Sequence, residues 1–337
     1  MCTGRLPAWD AWEGAAGASS SPERKPSSRA PVSGGVFLGI LLPFLLRPAV
    51  VRAKVEPSLT ATRGTADFQG WKGDVWISTD NFDLTPAYSS FSNDLINGSF
   101  QTPSVRVGAH NAQAGGGITL GGTLPVEGYS NSFFTLDGHA IFNPTRSEDG
   151  DLFPACQGAA PCLKLGASLT RIYHKDEYQA STTTSAGRSP VVVTRRSTGA
   201  LGINETDFNV NARYDDRETA LSGFVTKSVY NKDLSAVAAR VFAFPALGGL
   251  ASLMELFPDF STGLTLKNYS FSRLSPHLSY SYTTFELSNP ANALTAGFDL
   301  KLGRGSLAAS YTLYVQSGIP GLPTDQNYYS LGGKYPF

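Results

Sequence analysis

Four histidines, His110, His139, His174 and His277, are the side chains here best suited to moving protons near neutral pH, and they lie far apart in sequence. A serine nucleophile needs a histidine within hydrogen-bond reach and a third group to orient it. His277 and Ser279 share one parity of a strand-like run, which comes nearest to that requirement, but no third orienting group accompanies them. No Gly-x-Ser-x-Gly elbow, His-Glu-x-x-His pair or phosphate-binding loop occurs. The chain is not expected to be an enzyme, and a lipid hydrolase sited at a rim around His277 ranks third among the functional readings. No cofactor is expected, and no metal, because no histidine clusters with the cysteines.

Cysteine chemistry is sparse. Cys2 lies near the start, and Cys156 and Cys162 are separated by five residues in a Gly/Pro/Ala-rich stretch, Phe153–Leu163. In an oxidising compartment such a pair is placed to close a small disulfide ring. Two free thiols in a loop are the alternative reading.

The remaining candidates are polar residues fixed by alternation. Within Thr206–Tyr214, Phe208, Val210, Ala212 and Tyr214 fall on one parity, and Asp207, Asn209, Asn211 and Arg213 on the other. Asn292–Leu302 repeats the pattern, with Asp299 and Lys301 on the polar parity. A period of two belongs to β-strands, whose successive side chains point to opposite faces. If the apolar rows face lipid, the charges must point inward, since a charge held in mid-depth hydrocarbon costs ~2–4 kcal/mol. Asp207, Asn209, Asn211, Arg213, Asp299 and Lys301 are therefore candidates to line a lumen. Inside a barrel they either pair across a filled interior or border a wet passage.

The elements that would hold these residues recur along the chain. Leu307–Val315 and Leu278–Tyr282 alternate as cleanly, while Leu163–Tyr173, Leu221–Tyr230 and Leu234–Phe244 do so less sharply. Arg240 shares the apolar parity of its run and belongs near a rim. Residues 241–260 read either as a short helix or as a bent strand. Short turns are expected at Asp215–Arg217, Asn231–Asp233, Asn289–Ala291 and Gly303–Gly305, with longer polar links near Ala87–Gln101, Asn143–Pro161 and Lys175–Arg196. Composition agrees: 35 Gly, 20 Phe and 14 Tyr against 2 Met favour strands and turns over helices. A mean hydropathy of −0.11 suits strands with one oily and one polar face. A soluble β-sandwich also alternates. Here, however, the polar rows are small Ser, Thr and Gly rather than Lys and Glu. The first 53 residues hold six bases and three acids, leaving 21 bases against 24 acids, so no basic field exists for nucleic acid.

The last nine residues sharpen the reading. Tyr329, Leu331, Gly333, Tyr335 and Phe337 share one parity; Ser330, Gly332, Lys334 and Pro336 share the other. This stretch resembles the C-terminal strand of bacterial outer-membrane β-barrels, which closes on Phe with a Tyr two residues before it. Pro336 departs from that pattern because it cannot donate to a ladder. The resemblance implies that Tyr329, Leu331, Tyr335 and Phe337 serve as the signal read by the outer-membrane assembly machinery. The expected fold is all-β: one antiparallel, up-and-down transmembrane barrel over residues 54–337, with about 12 strands and a range of about 10–14.

Residues 1–53 read as a leader. Its apolar core, Gly35–Leu46, is too short to span a bilayer but fits a secretory signal, with Val51 and Ala53 ahead of cleavage before Lys54. The stretch before that core is long for a bacterial signal; either the start codon lies further in, or residues 1–33 are an organellar transit segment. A bacterial outer membrane is the favoured location, with a plastid or mitochondrial outer envelope as the alternative. The leading expectation for function is a passive pore for small polar solutes. The second is a non-conducting barrel whose long loops bind a partner or surface, with the Cys156–Cys162 ring stiffening one of them.

Overall fold

Alternation becomes ladder pairing along most of the chain. A computed structural model describes residues 53–337 except 80, 93–98, 112, 126–128, 143–160, 187–190, 201, 217, 235–256, 272 and 318–323; for 176–186 and 191–200 it describes the backbone alone. The strands are β1 (Lys54–Gly64), β2 (Phe68–Ser78), β3 (Phe82–Ser92), β4 (Phe100–His110), β5 (Ala114–Gly121), β6 (Tyr129–Phe142), β7 (Cys162–Ala186) and β8 (Val191–Ala200). They continue as β9 (Asn204–Asp215), β10 (Thr219–Tyr230), β11 (Pro258–Asn268), β12 (Leu274–Phe285), β13 (Ala291–Leu302), β14 (Gly305–Gln316) and β15 (Asp325–Lys334).

All pairings are antiparallel, and β1 returns to β15 through a register running from Ser58↔Lys334 to Gly64↔Tyr328. One half of β7 bridges β6 and β9. Its other half, Glu177–Ala186, pairs among the described residues only with Val191–Ala200 of β8, so this hairpin runs on past the wall. Fourteen strands thus close the barrel and β8 stands outside it. The total stands at the top of the expected range of about 10–14, with links such as Thr65–Asp67 and Gly303–Arg304 only three and two residues long. With strands about 4.8 Å apart and tilted about 40°, the backbone cylinder is about 28 Å across.

Closure leaves no free edge in the wall, and what remains exposed is apolar. Leu59, Val107, Leu120, Val210, Leu264, Leu278 and Leu331 are all more than half exposed on the outside. Phe82, Phe142, Tyr214, Phe271 and Tyr335 ring the end where β1 begins, while Trp71, Tyr173 and Tyr329 lie toward the other end. An aliphatic belt edged by aromatics is what a bilayer requires of a barrel exterior. No water-solvated fold would leave it bare. Outside contacts are aromatic too: Trp71 stacks on Tyr88 with ring centres 4.8 Å apart.

The two ends differ. Links 79–81, 111–113, 216–218, 269–273 and 303–304 are short and share the end where Lys54 and Lys334 lie. The opposite end carries links 93–99, 122–128, 231–257 and 317–324 together with the β7–β8 hairpin. Three sequence expectations change. The polar link near Ala87–Gln101 is mostly strand, since Ala87–Ser92 completes β3 and Phe100 opens β4. Lys175–Arg196 is a strand pair rather than a loop; Ser and Thr fill both parities, so no period marks it, yet Thr favours extended backbone. Asn231–Asp233 begins the 27-residue link 231–257 instead of making a tight turn. The expected strand Leu234–Phe244, Arg240 and most of 241–260 fall outside the described residues, apart from Leu234, which is helical, and 257–260.

Candidate functional site

The inner wall is built from the parity opposite the exposed apolar rows. At mid-depth its side chains are mostly hydroxyls, and neighbouring strands pair them. Thr135 with Thr170 (2.9 Å), Thr295 with Thr312 (2.8 Å), Thr265 with Ser279 (2.9 Å) and Thr62 with Ser330 (2.9 Å) each join two strands. Ser261 donates to Thr283 (3.1 Å), and Thr102 pairs with Thr123 (3.0 Å). Such pairs satisfy one polar group with another and leave a neutral, wettable surface.

Charges gather toward the short-turn end, mostly as opposed pairs. Arg106 on β4 grips Asp83 on β3, with Nη1 donating to Oδ2 at 2.7 Å, and Asp137 on β6, with Nε and Nη2 donating at 3.0 and 2.8 Å. To reach Asp137 it lies across β5, which offers Gly117; a Cβ there would stand 2.7 Å from Arg106 Nη2. Lys267 pairs with Asp299, and Lys334 Nζ donates to Glu56 at 3.3 Å. Bidentate contacts of this kind hold a guanidinium flat against the wall.

Every residue chosen from sequence as a lining candidate can be placed. Asn209 is 3% exposed, donates to Thr226 (2.7 Å) and accepts from Asn211 (3.1 Å). Arg213 donates to both oxygens of Asp215 and to the Tyr269 hydroxyl, each at 2.7 Å. Asp299 is the partner of Lys267, and Lys301 is exposed beside the Gly303–Arg304 turn. Asp207 sits between Glu205 and Asn209 on the same face, with Oδ1 covered and unbonded. Nearby, His174 Nε2 lies 2.9 Å from Glu205 Oε2, and the Tyr230 hydroxyl donates to Glu205 Oε1 (3.1 Å) and to the Pro258 carbonyl (2.7 Å). This buried cluster packs on Phe257 where β7 leaves the barrel.

Lys72, Asp83, Arg106, Asp137 and Lys267 escaped the sequence reading. Glycine weakens the periodic signal among them: Gly70 and Gly73 interrupt β2, and β5, the strand between Arg106 and Asp137, has glycine at four of eight positions. The available clue was Val105-Arg106-Val107, a base flanked by apolar residues on the opposite parity.

Among the described residues, Ser279 and His277 do not pair as nucleophile and base. His277 is inward, facing Gly297, and the Ser279 hydroxyl pairs with Thr265. Cys162 is buried at the start of β7, and Cys156 lies outside the described residues. The 143–161 link leaves from the short-turn end, opposite the other long links, so a ring there would not stiffen the loops at the far mouth. Tyr329, Leu331, Tyr335 and Phe337 are outward, at 61, 56, 48 and 74% exposure. The leader, 1–52, lies outside the described residues.

A closed antiparallel barrel with an apolar exterior and a hydroxyl-lined interior defines the class: an all-β barrel of the outer-membrane type. No protein-family model and no curated protein matches the chain. Among solved structures it is similar to OccAB1 from Acinetobacter baumannii, at 7% identity and TM-score 0.39 over 85% of this chain and 96% of that one. It is also similar to OmpT, an outer membrane protein of Vibrio cholerae (9%, TM-score 0.40, 85% and 97%), and to the NanC porin (8%, TM-score 0.37, 83% and 98%). Likeness at this level carries no inference about a solute.

Proposed function

We propose that this chain is a passive pore for small polar solutes in a bacterial outer membrane. The observation that carries the reading is the inner wall. A cylinder about 28 Å across at the backbone is wider than short hydroxyl side chains can fill, and those side chains bond to one another along the wall. A plug of packed interior would instead favour long interdigitating residues at mid-depth. Asp207, Asn209, Asn211, Arg213, Asp299 and Lys301 are then wall residues of the passage. Refolded protein should give single-channel currents in planar bilayers; silence across many confirmed insertions would end the pore reading.

One observation favours the second reading, a non-conducting barrel that binds a partner. The β7–β8 hairpin extends past the wall at the long-link end and, among the described residues, has ladder partners only within itself. Binding by this hairpin is compatible with conduction, and the bilayer measurement decides whether conduction exists. The proposal also includes removal of residues 1–53 on export, a Cys156–Cys162 ring on the short-turn side and recognition of Tyr329, Leu331, Tyr335 and Phe337 by the assembly machinery. Removing Phe337 is expected to reduce assembled protein in the membrane, measured against the intact chain.

A further inference from the structure

Among the described residues, inward bases are held by carboxylates or lie near an end, with one exception. Lys72 is the fifth of the eleven residues of β2, and its strand neighbours in register are Thr60 on β1 and Ser89 on β3. No carboxylate pairs with it, whereas Arg106, Arg213, Lys267 and Lys334 all have one. Lys301 also lacks an ion pair but stands at the rim. Asp74, two residues along the same face as Lys72, is 8% exposed and takes the Ser58 hydroxyl at 2.6 Å. Asp207 stands on β9, six strands round the wall from β2 in one direction and eight in the other, with Oδ1 covered.

We propose that the Lys72 ammonium sets the charge preference of the passage, favouring small anions over cations of the same size. The proposal rests on the pore reading. With a backbone radius of about 14 Å and a lysine reaching about 6 Å inward, the ammonium stands about 8 Å from the axis. That distance is within one Debye length in 0.1 M salt, about 10 Å, and well beyond it in 1 M salt, about 3 Å. A unit charge about 8 Å away through screened water changes the ratio of anion to cation entry about twofold. Of the acids nearby, Asp74 is 8% exposed and drawn back against Ser58, so its carboxylate stands farther from the axis than the ammonium; the Arg106 cluster, two acids to one base, lies nearer the short-turn end.

Reversal potentials across a potassium chloride gradient provide the test, using refolded full-length mature protein in planar bilayers. Wild type should pass chloride over potassium about twofold near 0.1 M, with the preference fading near 1 M. Lys72→Gln should bring the ratio close to one, and Lys72→Glu should invert it. Each variant is first checked for heat-dependent gel migration equal to wild type, which separates altered selectivity from misfolding. Currents with a ratio insensitive to Lys72, or a cation preference in wild type, overturn the proposal while the pore stands. Absence of current from folded wild type overturns both.

Discussion

At single residues, the balance is between keeping polar groups satisfied and keeping a passage wettable. Arg106 answers it by lying over Gly117 to bond two acids, so a long cation occupies wall area rather than lumen. Outside the strands, Asp216 secures the β9–β10 turn. Its Oδ1 accepts the backbone N–H of Thr219 (2.6 Å) and of Glu218 (2.9 Å), and these bonds hold its carboxyl below the ordinary value of 3.8. A carboxyl lowered on folding adds stability above its unfolded value and loses it as pH falls through the folded one. Asparagine can make the same turn bonds without ionising. Comparing urea midpoints of refolded wild type and Asp216→Asn from about pH 5 to about pH 3 should show wild type losing ground relative to the variant below about pH 4. Parallel curves would mean the charge contributes nothing to the turn. Glu286 behaves oppositely: burial, then the charge of Asp259, raises its carboxyl. The stability linked to Glu286 is present below its ordinary value and is lost as pH rises through the raised one.

For the strands, parity decides which substitutions are tolerated, and it was the feature most legible in the sequence. In β9, Val210 is 63% exposed while Asn211 faces in, beside Gly166. Val210→Lys should cost about 2–4 kcal/mol of unfolding free energy in lipid vesicles, because the ammonium must sit in hydrocarbon. Asn211→Lys should stay within about 1 kcal/mol, losing a single hydrogen bond while its amine enters water. Equal costs would mean that the inner face is as dry as the outer. Strands β9, β13 and β14 were legible because lipid imposes an unbroken oily row. In β5 the inward row is blurred instead, because Gly115, Gly117 and Gly121 leave the space that His139, Arg106 and Phe133 occupy. The β7–β8 hairpin was unreadable for a different reason: its backbone pairing runs on past the closed wall, where lipid imposes no alternation. The same argument predicts its independence. The Cys162–Asp176 part of β7 makes the contacts to β6 and β9. Replacing residues 177–200 with a short glycine-containing turn should leave heat-dependent gel migration unchanged; loss of the compact band would show that the hairpin is needed for closure.

Across the whole molecule, closure is the property from which exterior, interior and asymmetry follow. The ladder between β1 and β15 joins residues near opposite ends of the described chain, and without it two unpaired edges would lie in lipid, each unbonded backbone group costing several kcal/mol. The inward Thr62 and Ser330 face each other across this seam with their oxygens 2.9 Å apart, although they stand 268 positions apart in sequence. Oxygens that close place the two Cβ atoms near the separation a disulfide accepts, about 3.5–4.5 Å. Thr62→Cys with Ser330→Cys should therefore oxidise readily in the refolded barrel, and only after the seam has formed. On a denaturing, non-reducing gel the linked chain, one large loop, should migrate differently from the reduced chain even after boiling. The wild-type cysteines cannot imitate this, because a Cys156–Cys162 link closes only a short ring. If the link forms as fast in urea-unfolded chain as in refolded protein, or does not form in folded protein at all, β1 and β15 are not neighbours. The barrel would then be an open sheet, with no enclosed wall for Lys72 or its hydroxyl neighbours to line.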